Sequence, residues 1–166
     1  GLDRRVRAVL EPYVVAFQVV PKIMLIPLFI VWFGFGSTPK VVTAATVSFF
    51  PTLVNTILGL SRDNEEQLML LRSLRSSRFQ VFWKLQWPAA LPSVVVGLET
   101  SITFAYLGAI VAEFVNAQEG MGVLLTTFTH QYQLSASFAV LAILAVLGSL
   151  LYYSVRGLGR KFVFWH

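Results

Sequence analysis

Cysteine is absent from all 166 residues, and charge is scarce. Without a thiol the chain can form neither a disulfide nor a thiolate metal site, although this says little about compartment. Charged side chains make up only 13% of the sequence, against roughly 25% in an ordinary soluble domain. The two histidines, His130 and His166, lie far apart, and HQYQ around His130 is not a metal motif. There is no GxxxxGK[ST] stretch and no dinucleotide-binding fingerprint, so the chain is not itself a P-loop ATPase. No set of acids, bases or metal ligands converges. The expectation is therefore no enzyme, no catalytic residue, no metal and no cofactor.

What is present is apolar. Hydrophobic residues reach 56%, with 14 Phe, more than a soluble chain of this size can bury. The apolar residues gather into four runs, near 13–36, 41–60, 88–111 and 134–155. Each has the roughly 20 residues that a helix needs to cross a bilayer. The first is too long for the h-region of a signal peptide, and no small-residue cleavage site ends it. The fold class expected is an all-α membrane protein. It would be a polytopic bundle of about four transmembrane helices in one domain over residues 1–166.

The net charge of +5 is distributed unevenly. Arg4, Arg5 and Arg7 precede the first run. Arg62, Arg72, Arg75, Arg78 and Lys84 lie between the second and third, and Arg156, Arg160 and Lys161 follow the fourth. The opposite side has Lys40 in a short turn, with Glu113 and Glu119 in the last loop. Basic residues mark the cytoplasmic side, so both termini are expected there. These charges sit at membrane boundaries and point to topology and anionic lipid, not to nucleic acid. Lys22, beside Pro21, is expected to snorkel toward the cytoplasmic interface.

Between the second and third runs, residues 61–87 are polar enough to leave the membrane, yet they are patterned. Leu68, Leu71 and Leu74 recur at helical spacing, as do Phe79, Phe82 and Trp83. Ser77 with Gln80 fits a capping box, so Ser76 and Ser77 are expected to separate two short helices; Asp63 with Glu66 fits the start of the first. Pro88 would sit in the first turn of the following span, where its missing N–H costs nothing, and Pro92 would bend that span a turn later. Glu99 is an ionisable group near or within this span, with a place on a solute pathway or a peripheral position both open. The last loop, 112–133, carries Glu113 and Glu119, and Gly120 and Gly122 permit a tight reversal in it. GVLLTTF beyond it is either a re-entrant segment or a short surface helix.

Four stretches together resemble a known family: EPYVVAFQVVPKIMLIPLFIVWFGFG (11–36), FFPTLVNT (49–56), SRFQVFWKLQWPAALPSVVVGL (77–98) and IVAEFVNAQEGMGVLL (110–125). The chain is similar to the permease subunit of binding-protein-dependent ABC importers, in the branch serving nitrate, sulfonate, taurine and some vitamin precursors. The resemblance implies the core of the type I importer permease fold in the bacterial inner membrane. It implies a pathway for an unidentified solute, shared with a second permease subunit in a homo- or heterodimer. Its further partners would be ATP-binding cassette ATPase subunits, an external solute-binding protein and membrane lipid. Family members usually carry about two further spans ahead of the position of residue 1, so the chain is either a portion of such a protein or a shortened subunit.

The resemblance makes 61–87 the cytoplasmic coupling loop. It assigns ATPase contact to Leu68, Leu71, Arg72, Arg75, Arg78, Phe79, Phe82 and Trp83, a hinge to Pro88 and Pro92, and pathway or gate roles to Glu99, Glu113, Gly120 and Gly122. Aligned on Pro88, however, the family's Glu-Ala-Ala falls on Met69, Leu70 and Leu71, and its glycine on Arg75. Arg72, Leu74, Ser77, Arg78, Phe82, Pro88, Ala89, Ala90, Leu91 and Pro92 keep the pattern. Arginine at the glycine position leaves two alternatives. Either the backbone keeps the tight turn under strain, or Ser76 and Ser77 rebuild it; the serine cap favours the second. A degenerate, permease-like scaffold without transport of its own is the alternative function.

Overall fold

The computed structural model of the chain describes residues 12, 13, 16, 19–61, 65–116 and 118–162. Every regular element among them is helical. Among the described residues, three helical runs are long and apolar enough to cross a bilayer: Ser37–Leu60, Arg78–Val115 and Leu134–Gly159.

The segment expected as one span over 13–36 is interrupted. Residues 12, 13, 16 and 19 are helical, the chain bends at Val20, and Pro21 opens a 3₁₀ turn over Lys22–Leu25. Helix α1, Ile26–Phe33, continues from it with Pro27 in its first turn. The cause is Pro21, which cannot donate into the preceding turn; its carbonyl instead accepts the Met24 N–H at 2.8 Å. The apolar helix that results, Lys22–Phe33, has 12 residues. At about 1.5 Å per residue it falls short of a bilayer core of about 30 Å.

After the FGFG turn, α2 (Ser37–Leu60) packs antiparallel against α5 (Trp87–Asn116). The pairing is built on small residues. A Cβ on Gly108 would meet Ala44 and Val47, one on Gly97 would meet Thr52 and Asn55, and one on Gly59 would meet Ala90 and Ser93. Within a bilayer no hydrophobic force drives leucines together, so close backbone approach and shared hydrogen bonds decide which faces meet. Ser101 supplies both: its hydroxyl donates to the Ser48 carbonyl at 2.6 Å and shares a hydrogen bond with Thr52. On the other side of α5, α7 (Leu134–Phe162) runs antiparallel, with the Tyr106 hydroxyl donating to the Leu144 carbonyl at 2.6 Å over Gly148. Phe138, Leu141, Val146 and Leu150 of α7 remain exposed, an outward apolar face suited to lipid or protein.

Lys22 differs from its expected place. Its ammonium lies 4.4 Å from the centroid of the Phe50 ring, midway along α2, where the ring face stabilises the charge.

Candidate functional site

Between α2 and α5 lie two short helices, α3 (Glu65–Ser73) and α4 (Arg78–Val81). Ser77 caps α4: its hydroxyl accepts the Gln80 N–H at 3.2 Å, and the Gln80 side chain accepts the Ser77 N–H at 2.8 Å. This is the capping box read from the sequence. Its counterpart at Asp63 lies outside the described residues, as does the Arg72 side chain.

The turn before it corrects the sequence reading. Arg75 stands at φ 54°, in the left-handed region, and the Ser76 N–H returns to the Leu71 carbonyl at 3.0 Å. That is a Schellman-type helix end, the form usually completed by glycine. The tight turn is therefore kept with arginine in the glycine position. The serines could not rebuild it, because Ser77 is already committed to capping α4 and the α3 carbonyls still need a returning N–H. Arg75→Gly is expected to relieve the strain and stabilise the loop by about 1 kcal/mol at most. Slower amide exchange over 65–77 would report this; unchanged or faster exchange would count against a strained turn.

Helix α3 makes no extensive contact with another described element. Of the leucines singled out, Leu68 and Leu71 are half-buried, whereas Met69 (67% exposed), Leu70 and Leu74 (68%) form the open apolar surface. Sequence reasoning passed over Met69 and Leu70, although their apolar character at the departed family positions was the available signal. From α4 a π turn over Phe82–Gln86 leads into α5, and the Trp87 N–H bonds to the Phe82 carbonyl. Pro88 thus lies inside a continuous helical run of 38 residues instead of opening a new helix. The π turn widens the ladder just ahead of the proline that would interrupt it. Along this run Phe79, Trp83 and Trp87 meet edge to face at successive centroid distances of 6.1 Å and 6.1 Å, with Phe82 5.5 Å from Trp83. Phe79 (73%) and Trp83 (51%) are exposed, as are Arg78 and Lys84.

At the far end of α5 a second cluster forms. Glu113 Oε2 accepts the Gly122 N–H at 2.7 Å, at the start of α6 (Met121–His130). Glu113 Oε1 pairs with Lys40 Nζ at 3.2 Å, and the same ammonium donates to the Glu119 carbonyl at 2.7 Å. The N-cap of α6 is Gly120, which has no side chain to offer, so a carboxylate from α5 satisfies the orphan N–H and favours the positive end of the helix. Gly120 adopts φ 138°, and a Cβ there would run into the Glu113 carboxylate. The first turn of α6 packs beside Ile110 and Phe114, and Thr129 near its end faces Ser137 of α7, so GVLLTTF belongs to a short helix.

Of the four gate candidates, Glu113, Gly120 and Gly122 come together and Glu99 does not. Glu99 is 14 residues before Glu113 on one helix, about 21 Å along the axis. Lys40 belongs to this cluster and was missed. The signal was there: a lone cation in the short turn on the same side as two acids.

Residues 1–163 match the family described as binding-protein-dependent transport system inner membrane component. Among curated relatives, the formylaminopyrimidine transport permease protein ThiX of Halalkalibacterium halodurans is 33% identical over 98% of this chain and 65% of its own length. A putative aliphatic sulfonates transport permease protein, SsuC of Bacillus subtilis, is 33% identical over 99% of this chain and 60% of the relative. The taurine transport system permease protein TauC of Escherichia coli is 28% identical over 100% of this chain and 60% of the relative. The chain thus spans somewhat under two thirds of the length of these relatives. With three membrane-length helices and a match over nearly all its residues, the chain belongs to the family of inner-membrane components of binding-protein-dependent transport systems.

Proposed function

We propose that this chain is a permease subunit of an ABC importer, lining part of a solute pathway and coupling it to ATP hydrolysis by a separate subunit. The observation that carries this reading is the apolar, unpartnered surface of the 65–86 segment at one end of the long α4–α5 run. That run of 38 residues extends about 57 Å, well beyond a bilayer core of about 30 Å. With Glu113 near one boundary, the Arg78 end stands outside the other. Met69, Leu70, Leu74, Phe79 and Trp83 there present apolar area with no described partner, the composition of a protein-docking surface. Arg72, Arg75 and Arg78 would orient the contact through charged hydrogen bonds. The kept turn at Arg75 favours a working loop over a degenerate scaffold, since the two short helices retain their geometry.

The basic-residue bias supports a cytoplasmic position for this loop and an outer one for the Glu113 cluster, where a solute-binding protein would deliver cargo. A second permease subunit would complete the pathway around the bent α1–α2 region. The relatives' names, spanning sulfonates, taurine and a formylaminopyrimidine, support a small polar organic solute. This chain itself would perform no covalent chemistry.

Site-specific photocrosslinking in native membranes tests the coupling. Probes at Leu70, Leu74 and Phe79 are expected to capture the ATPase subunit, while probes at Val146 and Leu150 of α7 are not. Capture of the ATPase by another segment, with 65–86 reaching only lipid, would overturn the assignment.

A further inference from the structure

The Glu113 cluster ties together three parts of the chain through one ammonium and one carboxylate. Lys40 lies in the first turn of α2, Glu113 in the last turns of α5, and Glu119 in the loop before α6. The α2–α5 pair below them is held by small residues in close backbone contact. Helix α6 is anchored more sparsely: Gly122 in its first turn lies close to Ile110 and Phe114 of α5, and Thr129 near its end meets Ser137 of α7. Its N-terminus offers no capping side chain of its own.

From this geometry we infer that Lys40 is a positioning residue that latches α6 across the end of the α2–α5 pair. It acts through Glu113. The ammonium holds one carboxylate oxygen, which leaves the other aimed at the Gly122 N–H. The second donation, to the Glu119 carbonyl, fixes the backbone that leads into Gly120. The Lys40 and Glu113 side chains are 24% and 18% exposed, so the pair is sealed loosely enough for salt to weaken it. In the importer reading, on which the functional meaning of the latch rests, α6 is the outer gate and Lys40 sets how readily it lifts.

The test is independent of transport. A Leu124→Cys reporter on α6 is the chain's single thiol, because cysteine is absent otherwise. Its alkylation by a maleimide is timed in permeabilised cells, with the protein in its native assembly and both membrane faces open to the reagent. With Lys40 and Glu113 intact, raising the salt from about 0.05 M to about 0.5 M, which shortens the screening length about threefold, is expected to speed labelling. Lys40→Met and Glu113→Gln are each expected to speed labelling about fivefold and to remove most of the salt dependence. Lys40→Arg is expected to restore the native rate and its salt response. A labelling rate that ignores both salt and Lys40→Met would overturn the latch. Should a variant fail to accumulate, the salt titration on the Leu124→Cys chain alone decides. Loss of ATPase crosslinking at 65–86 would defeat the importer reading while leaving this result standing.

Discussion

Gly97→Leu is expected to disrupt the packing of α2 on α5 and to cause the largest loss of stability of any single substitution considered. A Cβ at Gly97 would stand 2.8 Å from the Asn55 Cβ, 3.2 Å from the Thr52 Cα and 3.3 Å from the Pro51 carbonyl oxygen. Two of those three atoms are backbone, so no rotamer change makes room. Overpacking a fitted contact costs about 1–3 kcal/mol, and three further carbons push the helices farther apart. Separation would also break the Ser101 bonds to Ser48 and Thr52 one turn away, leaving hydroxyls without partners in an apolar setting. Thermal unfolding of the detergent-solubilised protein should fall by about 5–10 °C. Gly157→Ala is the control: no atom lies within 4 Å of the added Cβ, and alanine favours the helix. Equal melting temperatures for the two variants would show that the close approach at Gly97 does not hold the pair.

Gly120→Ala should have the next largest effect, confined to the loop and α6. Two costs combine there. The backbone at φ 138°, ψ 167° lies in a region essentially restricted to glycine, worth about 1–3 kcal/mol to a side chain that must enter it. The new methyl also displaces the Glu113 carboxylate, which then loses Gly122 and Lys40 together. The two costs separate in a double-mutant cycle. In a Glu113→Ala background, Gly120→Ala should cost only its backbone component, so the substitutions combine to less than their sum. Hydrogen exchange at the amides of residues 121–124 reads this directly. Full additivity would mean that Gly120 and Glu113 act independently, and the cluster would then be no unit.

Local chemistry determined much of this protein in advance. Hydropathy placed the three long helices, because a membrane span is defined by a continuous run and needs no distant partner. Ser77 and Gln80 announced their capping box, because its bonds close within four residues. Pro88 and Pro92 marked the approach to the long helix, and AEF with GMG marked the reversal ahead of α6. Other features needed the folded chain. Lys40 and Glu113 are 73 residues apart, so their pairing depends on how α2 docks against α5. Glu99 and Glu113 are both gate candidates in one dimension, Glu99 with a peripheral position also open, yet 14 residues of one helix hold them turns apart. The place of Lys22 over Phe50 depends on the Lys22–Leu25 turn lying against α2. At Arg75 the deciding contact is itself local: the returning N–H of Ser76 satisfies the Leu71 carbonyl with residue 75 left-handed, and weighing the serine cap alone missed it. Side-chain periodicity carries the contacts made within a few residues; those made across helices depend on which small residues allow two backbones to meet.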